Sequence, residues 1–283
     1  MKSLLETILS RKLFDPKVAI YDWLEKYDIK NYTLNDKGEV DVDGNVNISY
    51  MDIEDIPPFI QFGTVKGNFY CSVNKLTSLR GAPREVGRNF DCSDNKLTTL
   101  EGSPEKVGGG FNCDSNKLTS LKGAPKTVGG RFDCYKNKLT SLKGAPKEVE
   151  IFDCSHNNLK DLKGSPEVVE KDFFCYSNSL TTLEGAPKKV GGDFKCYENN
   201  LTTLEGSPKI IKGNFYCHNN SLTTLEGSPD KVGGHFDCSD NSLKDLKGSP
   251  EKVGGDFYCS HNKTQFTKED VREVCNVILN IVV

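Results

Sequence analysis

Phe132-Asp133-Cys134-Tyr135-Lys136-Asn137-Lys138-Leu139-Thr140-Ser141-Leu142 is a stretch that the chain repeats, lightly varied, ten times. Its cysteine recurs at Cys71, Cys92, Cys113, Cys134, Cys154, Cys175, Cys196, Cys217, Cys238 and Cys259, at intervals of 21 residues except for 20 between Cys134 and Cys154. A self-similar period of this length is the signature of a solenoid, in which each unit buries its apolar face only by stacking on its neighbours. One unit reads V-G-G-x-F-x-C-x-x-N-x-L-T-x-L-x-G-(A/S)-P before the next valine. The Gly-Ala-Pro or Gly-Ser-Pro and Gly-Gly pieces make turns and extended backbone and leave no room for a helix. The expected fold is mainly β: a stack of about eleven coils with one parallel, concave sheet.

Within a unit, Phe and Cys alternate with polar residues and point inward, together with two leucine columns such as Leu97 and Leu100. The asparagines, Asn137 among them, stand where the chain leaves the strand. Backbone groups lose their strand partners there, and a buried amide with both donors and acceptors can serve backbone above and below. Ten cysteines in one register read as small buried hydrophobes and not as a disulfide framework or zinc site, because no C-x-x-C pair occurs. A run of buried thiols fits a reducing compartment.

The chain ends differ from the middle. Residues 1–30 read as helical: Leu4, Leu5, Ile8 and Leu9 form one apolar stripe. After the Asp15-Pro16 start signal, Ile20, Trp23, Leu24 and Tyr27 form a second. Tyr32-Thr33-Leu34 and Glu39-Val40-Asp41-Val42 flank Asn35-Asp36-Lys37-Gly38 as a hairpin. Val42, Val46, Ile48, Met51, Ile53 and Ile56 follow the V, F, C, N, L and L positions of the repeat, a disguised coil with Met51 in place of asparagine. Thr267-Lys268-Glu269-Asp270 resembles a capping box, with Val271, Val274 and Cys275 expected inward. Ile278, Leu279, Ile281, Val282 and Val283 are expected to supply a final apolar strand. The resulting organisation is a helical and hairpin cap over 1–41, an atypical capping coil over 42–66, repeats over 67–264 and a C-terminal cap with a short helix over 265–283.

Charge and hydropathy exclude more than they select. A net charge of −3 offers no basic field for nucleic acid or an anionic membrane. No apolar run approaches the roughly 20 residues of a membrane span, and Glu6 interrupts the one stretch that imitates a leader. These features point to a cytoplasmic monomer.

F-x-C-x-x-N-x-L is L-x-L-x-x-N-x-L with Phe and Cys at two leucine sites, so residues 42–264 resemble the leucine-rich repeat family. The string Leu139-Thr140-Ser141-Leu142 with Pro146 and Val149 is similar to the short, helix-free repeats of secreted bacterial effectors. It departs from them at the K-G-A-P segment and the added glycine. The whole chain also resembles leucine-rich repeat proteins predicted in tailed bacteriophage genomes, through the Trp23-Leu24 helix, Asp41-Val42-Asp43-Gly44 and the Glu269-Asp270-Val271 tail. The resemblance implies a binding scaffold. The phage likeness implies an inhibitor of a host protein or, alternatively, a virion-associated surface protein.

What differs between coils is the set of outward positions: before Phe, between Phe and Cys, and the two after Cys. Tyr135, Phe174, Tyr176, Tyr197 and Tyr216, with Ile151 from the shortened unit, gather on the fourth to eighth repeats. Asp91, Asp94, Asp114, Asp133 and Asp153 gather on the second to fifth. Exposed aromatics rimmed by polar groups have the composition of protein-binding hot spots. The expected partner-binding set is therefore Tyr135, Ile151, Phe174, Tyr176, Tyr197, Tyr216, Asp133 and Asp153, with a ligand-binding tyrosine face as a further alternative. Neither a metal nor a cofactor is expected, and no catalysis: His156, His218, His235 and His261 are spread over four coils, and cysteines among Phe and Leu are not poised nucleophiles.

Overall fold

The computed structural model describes residues 15–283, so the stripe expected around Leu4 to Leu9 lies outside the described residues. Twelve parallel strands, one per coil, form a single sheet running from Val46–Asn47 through the ten Phe strands to Ile281–Val282. Their register is constant. Phe132 lies beside Phe111 on one side and Phe152 on the other. The valines build the opposite wall, which is split into a six-stranded and a seven-stranded sheet. The split falls between Thr127–Val128 and Glu148–Val149, and the repeat is a residue short directly after Val149. Two residues instead of three connect Val149 to Phe152.

Between the two walls the inward columns are closed to water. Every repeat Phe, Cys and Leu column residue is buried. The phenylalanines stack with ring centroids 5.1–5.8 Å apart from Phe69 to Phe257. Each cysteine is free, and burial raises the thiol pKa throughout the column, as at Cys113 and Cys134. The thiols also donate along the stack: Cys92 Sγ lies 3.3 Å from the Asn112 carbonyl, and Cys134 Sγ 3.2 Å from that of Asp153. A leucine here would fill the space and leave that carbonyl with one donor fewer.

The asparagine column works as expected but with a different direction. Asn137 donates to the Cys113 carbonyl of the preceding coil (3.0 Å) and to Cys134 and Tyr135 of its own (both 3.2 Å), and accepts the Leu118 N–H (3.0 Å). Each amide thus serves its own turn and the coil before it, not the coils on both sides. The residue ahead of each asparagine is left-handed, for example Lys136 (φ 52°) and His156 (φ 53°). At the far corner Gly123 is also left-handed (φ 87°), and a Cβ there would stand 2.5 Å from the Glu101 nitrogen of the coil beneath. Only glycine fits such a contact.

Helix α1 (Pro16–Lys26) starts at Asp15, whose carboxylate accepts the Lys17 N–H at 2.9 Å. It ends before Asp28 (φ 53°), where the Ile29 N–H turns back to the Leu24 carbonyl (2.9 Å). Its buried face carries Ile20, Trp23 and Leu24. Trp23 meets Phe62 edge-on at 6.1 Å, and Phe62 meets Phe69 at 5.3 Å, so the helix closes the aromatic spine. Strands β1 (Tyr32–Leu34) and β2 (Val40–Val42) form the expected antiparallel hairpin, and β2 continues the valine wall beside Phe62–Val65.

At the other end, α2 (Lys268–Val274) carries a complete Thr267/Asp270 capping box. The single apolar strand expected after it is instead a twelfth coil. Val277 pairs with Val253 and Ile281 with Phe257, because V-I-L-N-I repeats the V-G-G-x-F spacing. Val271, Cys275 and Ile281 are buried, but Val274 is 41% exposed, contrary to expectation, and Ile278 (53%) and Leu279 (60%) stand outside the core. They occupy the positions that glycines hold in earlier coils, at a corner between the walls.

Candidate functional site

The open face of the twelve-stranded sheet is where the coils differ. In the first column beyond the buried cysteines, Tyr176 stacks on Tyr197 (4.6 Å between centroids, 9° between planes), and Tyr197 on His218 (4.6 Å, 8°). Coil six has only the buried Ser155 at this position. The gap is filled by His156 from the next position, edge-on to Tyr135 at 4.9 Å and to Tyr176 at 5.4 Å. Strand alternation predicts that Ser155 and His156 point to opposite faces. The left-handed backbone at His156 defeats that rule and returns the ring to the row. Five coils therefore carry one unbroken line of rings from Tyr135 to His218. Desolvation by burial, followed by the neighbouring Tyr176, pushes the Tyr197 hydroxyl up to about 12.

The column between Phe and Cys adds a second line. Lys195 Nζ sits 4.9 Å from the Phe174 ring centroid and 5.6 Å from that of Tyr216, a cation between two aromatic faces. Next to it, the Arg131 guanidinium bonds Asp133 and Asp153 together, at 2.7 Å to each, and lies 6.0 Å from Phe174. Burial and the Asp153 charge outweigh Arg131 and raise the Asp133 carboxyl to about 6.

Of the residues singled out from sequence, Tyr135, Tyr176 and Tyr197 lie in the first line, Phe174 and Tyr216 in the second, and Ile151 beside Arg131 across the strand pair. Asp153 was expected to be exposed and is only 4% so. It accepts from Arg131 and from both the N–H and the hydroxyl of Ser155. Asp91 and Asp237 hold Ser93 and Ser239 in the same way. An aspartate two residues before a serine thus closes a local turn, so these serines are buried and these carboxylates are anchored.

Sequence reasoning passed over His156, His218, Arg131 and Lys195. One signal was available for Arg131. The position before Phe forms a second ladder, in which Asn45 Oδ1 accepts the Asn68 N–H (2.8 Å), Asn68 that of Asn89 (3.0 Å) and Asn89 that of Gly110 (2.7 Å). It resumes with Asp172 accepting the Asp193 N–H at 2.8 Å. Gly110, Arg131 and Ile151 interrupt it. At the break a hollow of about 250 Å³ opens, bordered by Tyr70, Asn89, Asp91, Asn112, Arg131 and Asp133.

No protein-family model and no curated protein matches the chain. Solved structures match it in shape. YopM from Yersinia enterocolitica WA-314 superposes with a TM-score of 0.56 at 20% identity, over 74% of this chain and 53% of that one. YopM of Yersinia pestis, described as a leucine-rich effector protein, gives 0.51 at 20% identity over 75% and 61%. The fold is a leucine-rich repeat solenoid. The chain spans less than two thirds of the length of these YopM structures. In leucine-rich repeat terms, Phe and Cys have taken over two leucine columns, and the line of rings lies along the strand face of the solenoid.

Proposed function

We propose that this leucine-rich repeat chain is a non-enzymatic protein-binding scaffold that seats its partner on the strand face of coils five to nine. One observation carries the reading: the unbroken line of rings from Tyr135 to His218, beside Phe174, Lys195 and Tyr216. Inward columns account for the shape without these side chains. Rings stacked on their neighbours lose little further freedom on binding, which favours affinity. Likeness in shape to an effector protein supports a scaffold of this kind. The buried, reduced thiol column supports a cytoplasmic site of action, and the resemblance to phage proteins supports a monomeric, phage-encoded inhibitor of a host protein.

The test is affinity capture from host lysate, comparing the wild type with Tyr176→Ala/Tyr197→Ala. A protein recovered by the wild type and lost with the variant is the expected result. Equal recovery by both would overturn the strand face as the binding site, and finding the chain in purified virus particles would favour the structural, virion-associated role.

A further inference from the structure

The charge on the strand face bears on the chemistry of the partner. Before Phe, between Phe and Cys, and at the two positions after Cys, the ten repeats carry eleven Asp or Glu. Against these stand three basic residues, Arg131, Lys136 and Lys195. The chain as a whole is nearly balanced, with 40 acidic and 37 basic residues. A face with eight surplus negative charges thus belongs to a chain of net charge −3, and the remainder is net positive.

Where a side chain at these positions accepts a backbone N–H, the fold uses the oxygen and not the charge. In the ladder before Phe, Asn214 accepts the His235 N–H at 2.7 Å as Asp193 accepts that of Asn214 at 2.9 Å. In the next column, Asn112 accepts the Asp114 N–H at 3.1 Å just as Asp133 accepts that of Tyr135 at 3.1 Å. An amide does the same work, so Asp172, Asp193 and Asp237 add like charge along the stack, which the fold must tolerate. On the other edges carboxylates meet lysines across coils at close range, as in Lys122–Glu101 (2.8 Å), Lys163–Glu184 (2.8 Å) and Lys247–Glu226 (3.0 Å), whereas on the face Asp193 has Lys195 only at 3.7 Å and Asp237 has the His218 ring at 3.3 Å. The face also accepts cations on its rings, since Lys195 and Arg131 already lie over Phe174.

Resting on the proposed scaffold function, we propose that the partner docks through a basic polypeptide segment. Its Lys or Arg side chains stack on the tyrosine row and pair with the carboxylates of the face. The same field repels nucleic acid and anionic lipid.

The probes are fluorescein-labelled oligo-arginine and oligo-glutamate of equal length, titrated by anisotropy at low salt. Asp172→Asn/Asp193→Asn/Asp237→Asn keeps the acceptors and removes face charge. Glu101→Gln/Glu184→Gln/Glu226→Gln removes the same charge elsewhere. Oligo-arginine is expected to bind and oligo-glutamate not, with about tenfold loss in the face variant, less than about twofold in the control, and weakening as salt is added. Equal losses in the two variants, or none in the face variant, would overturn the inference. With a partner captured from lysate in hand, loss by Tyr176→Ala/Tyr197→Ala but retention by the Asp→Asn variant would overturn the basic segment and leave the scaffold function standing. Retention by both would overturn both.

Discussion

Replacing Asn137 with leucine tests what holds successive coils together. Asn137 makes four hydrogen bonds, but their loss is unequal. Without it, the Cys113 carbonyl still receives Asn116 Nδ2 (3.2 Å) and the Cys134 carbonyl still receives Asn157 Nδ2 (3.1 Å). The Tyr135 carbonyl still receives the Ser115 N–H (3.1 Å). The Leu118 N–H, buried and bonded to Asn137 Oδ1 at 3.0 Å, keeps nothing. One orphaned buried donor costs about 1–3 kcal/mol, and three shared carbonyls add little. In a stacked array the penalty falls on one interface between neighbouring coils. Urea unfolding should therefore show a loss of about 1–3 kcal/mol, and amide exchange should accelerate first at Leu118. A Leu118 amide as protected as in the wild type, with less than about 0.5 kcal/mol lost, would refute this account of the ladder.

Three further outcomes follow from the same geometry. The Asp133 carboxyl, at about 6, lies above its unfolded value of about 4. The folded chain therefore binds more protons between these two values, and stability contributed by this group falls as pH rises through that window. Carboxyl NMR titration should place its midpoint near 6, Asp133→Asn should remove that slope, and a midpoint near 4 would contradict the assignment. Arg131→Met should cost about 1–3 kcal/mol in urea unfolding, because Asp133 and Asp153 then face each other without their shared cation. The range sits below that of a fully buried pair because Arg131 is half-exposed. An unchanged midpoint would show that the pair is not clamped. Thiol reagents should label the native chain slowly and the denatured chain at all eleven cysteines. The first native sites should be Cys259 and Cys275, whose thiols burial raises only to about 12 and about 11. Rapid labelling of Cys154 would refute a closed core.

The solenoid was legible because its inward columns obey a period, and burial enforces the same residue in every coil. Even the irregular coils followed it: Val46 and Ile48 stand in for Phe and Cys beside Phe69 and Cys71, and Asn74 serves the coil whose asparagine is Met51. The twelfth coil was equally written in Val277 and Ile281 but disguised by Ile278 and Leu279 in glycine positions. The candidate site was only half legible. Tyr176 and Tyr197 continue the alternation two residues past the strands Phe173–Phe174 and Phe194–Lys195, so counting by two put them on the open face. His156 stands at a left-handed turn, where counting by two fails.

By itself, then, the order of residues determined the period, the buried Phe, Cys and Leu columns, the asparagine turns and the excess of aromatic and acidic residues on one face. The tertiary structure alone decided that His156 completes the row of rings, that Arg131 ties Asp133 to Asp153, that Asp153 is hidden, and that a hollow opens at Gly110. Inward residues meet their own kind one coil away, so a repeat specifies its own contacts. Outward residues meet whatever the next coil presents, and long side chains reach across columns to partners that no local spacing encodes.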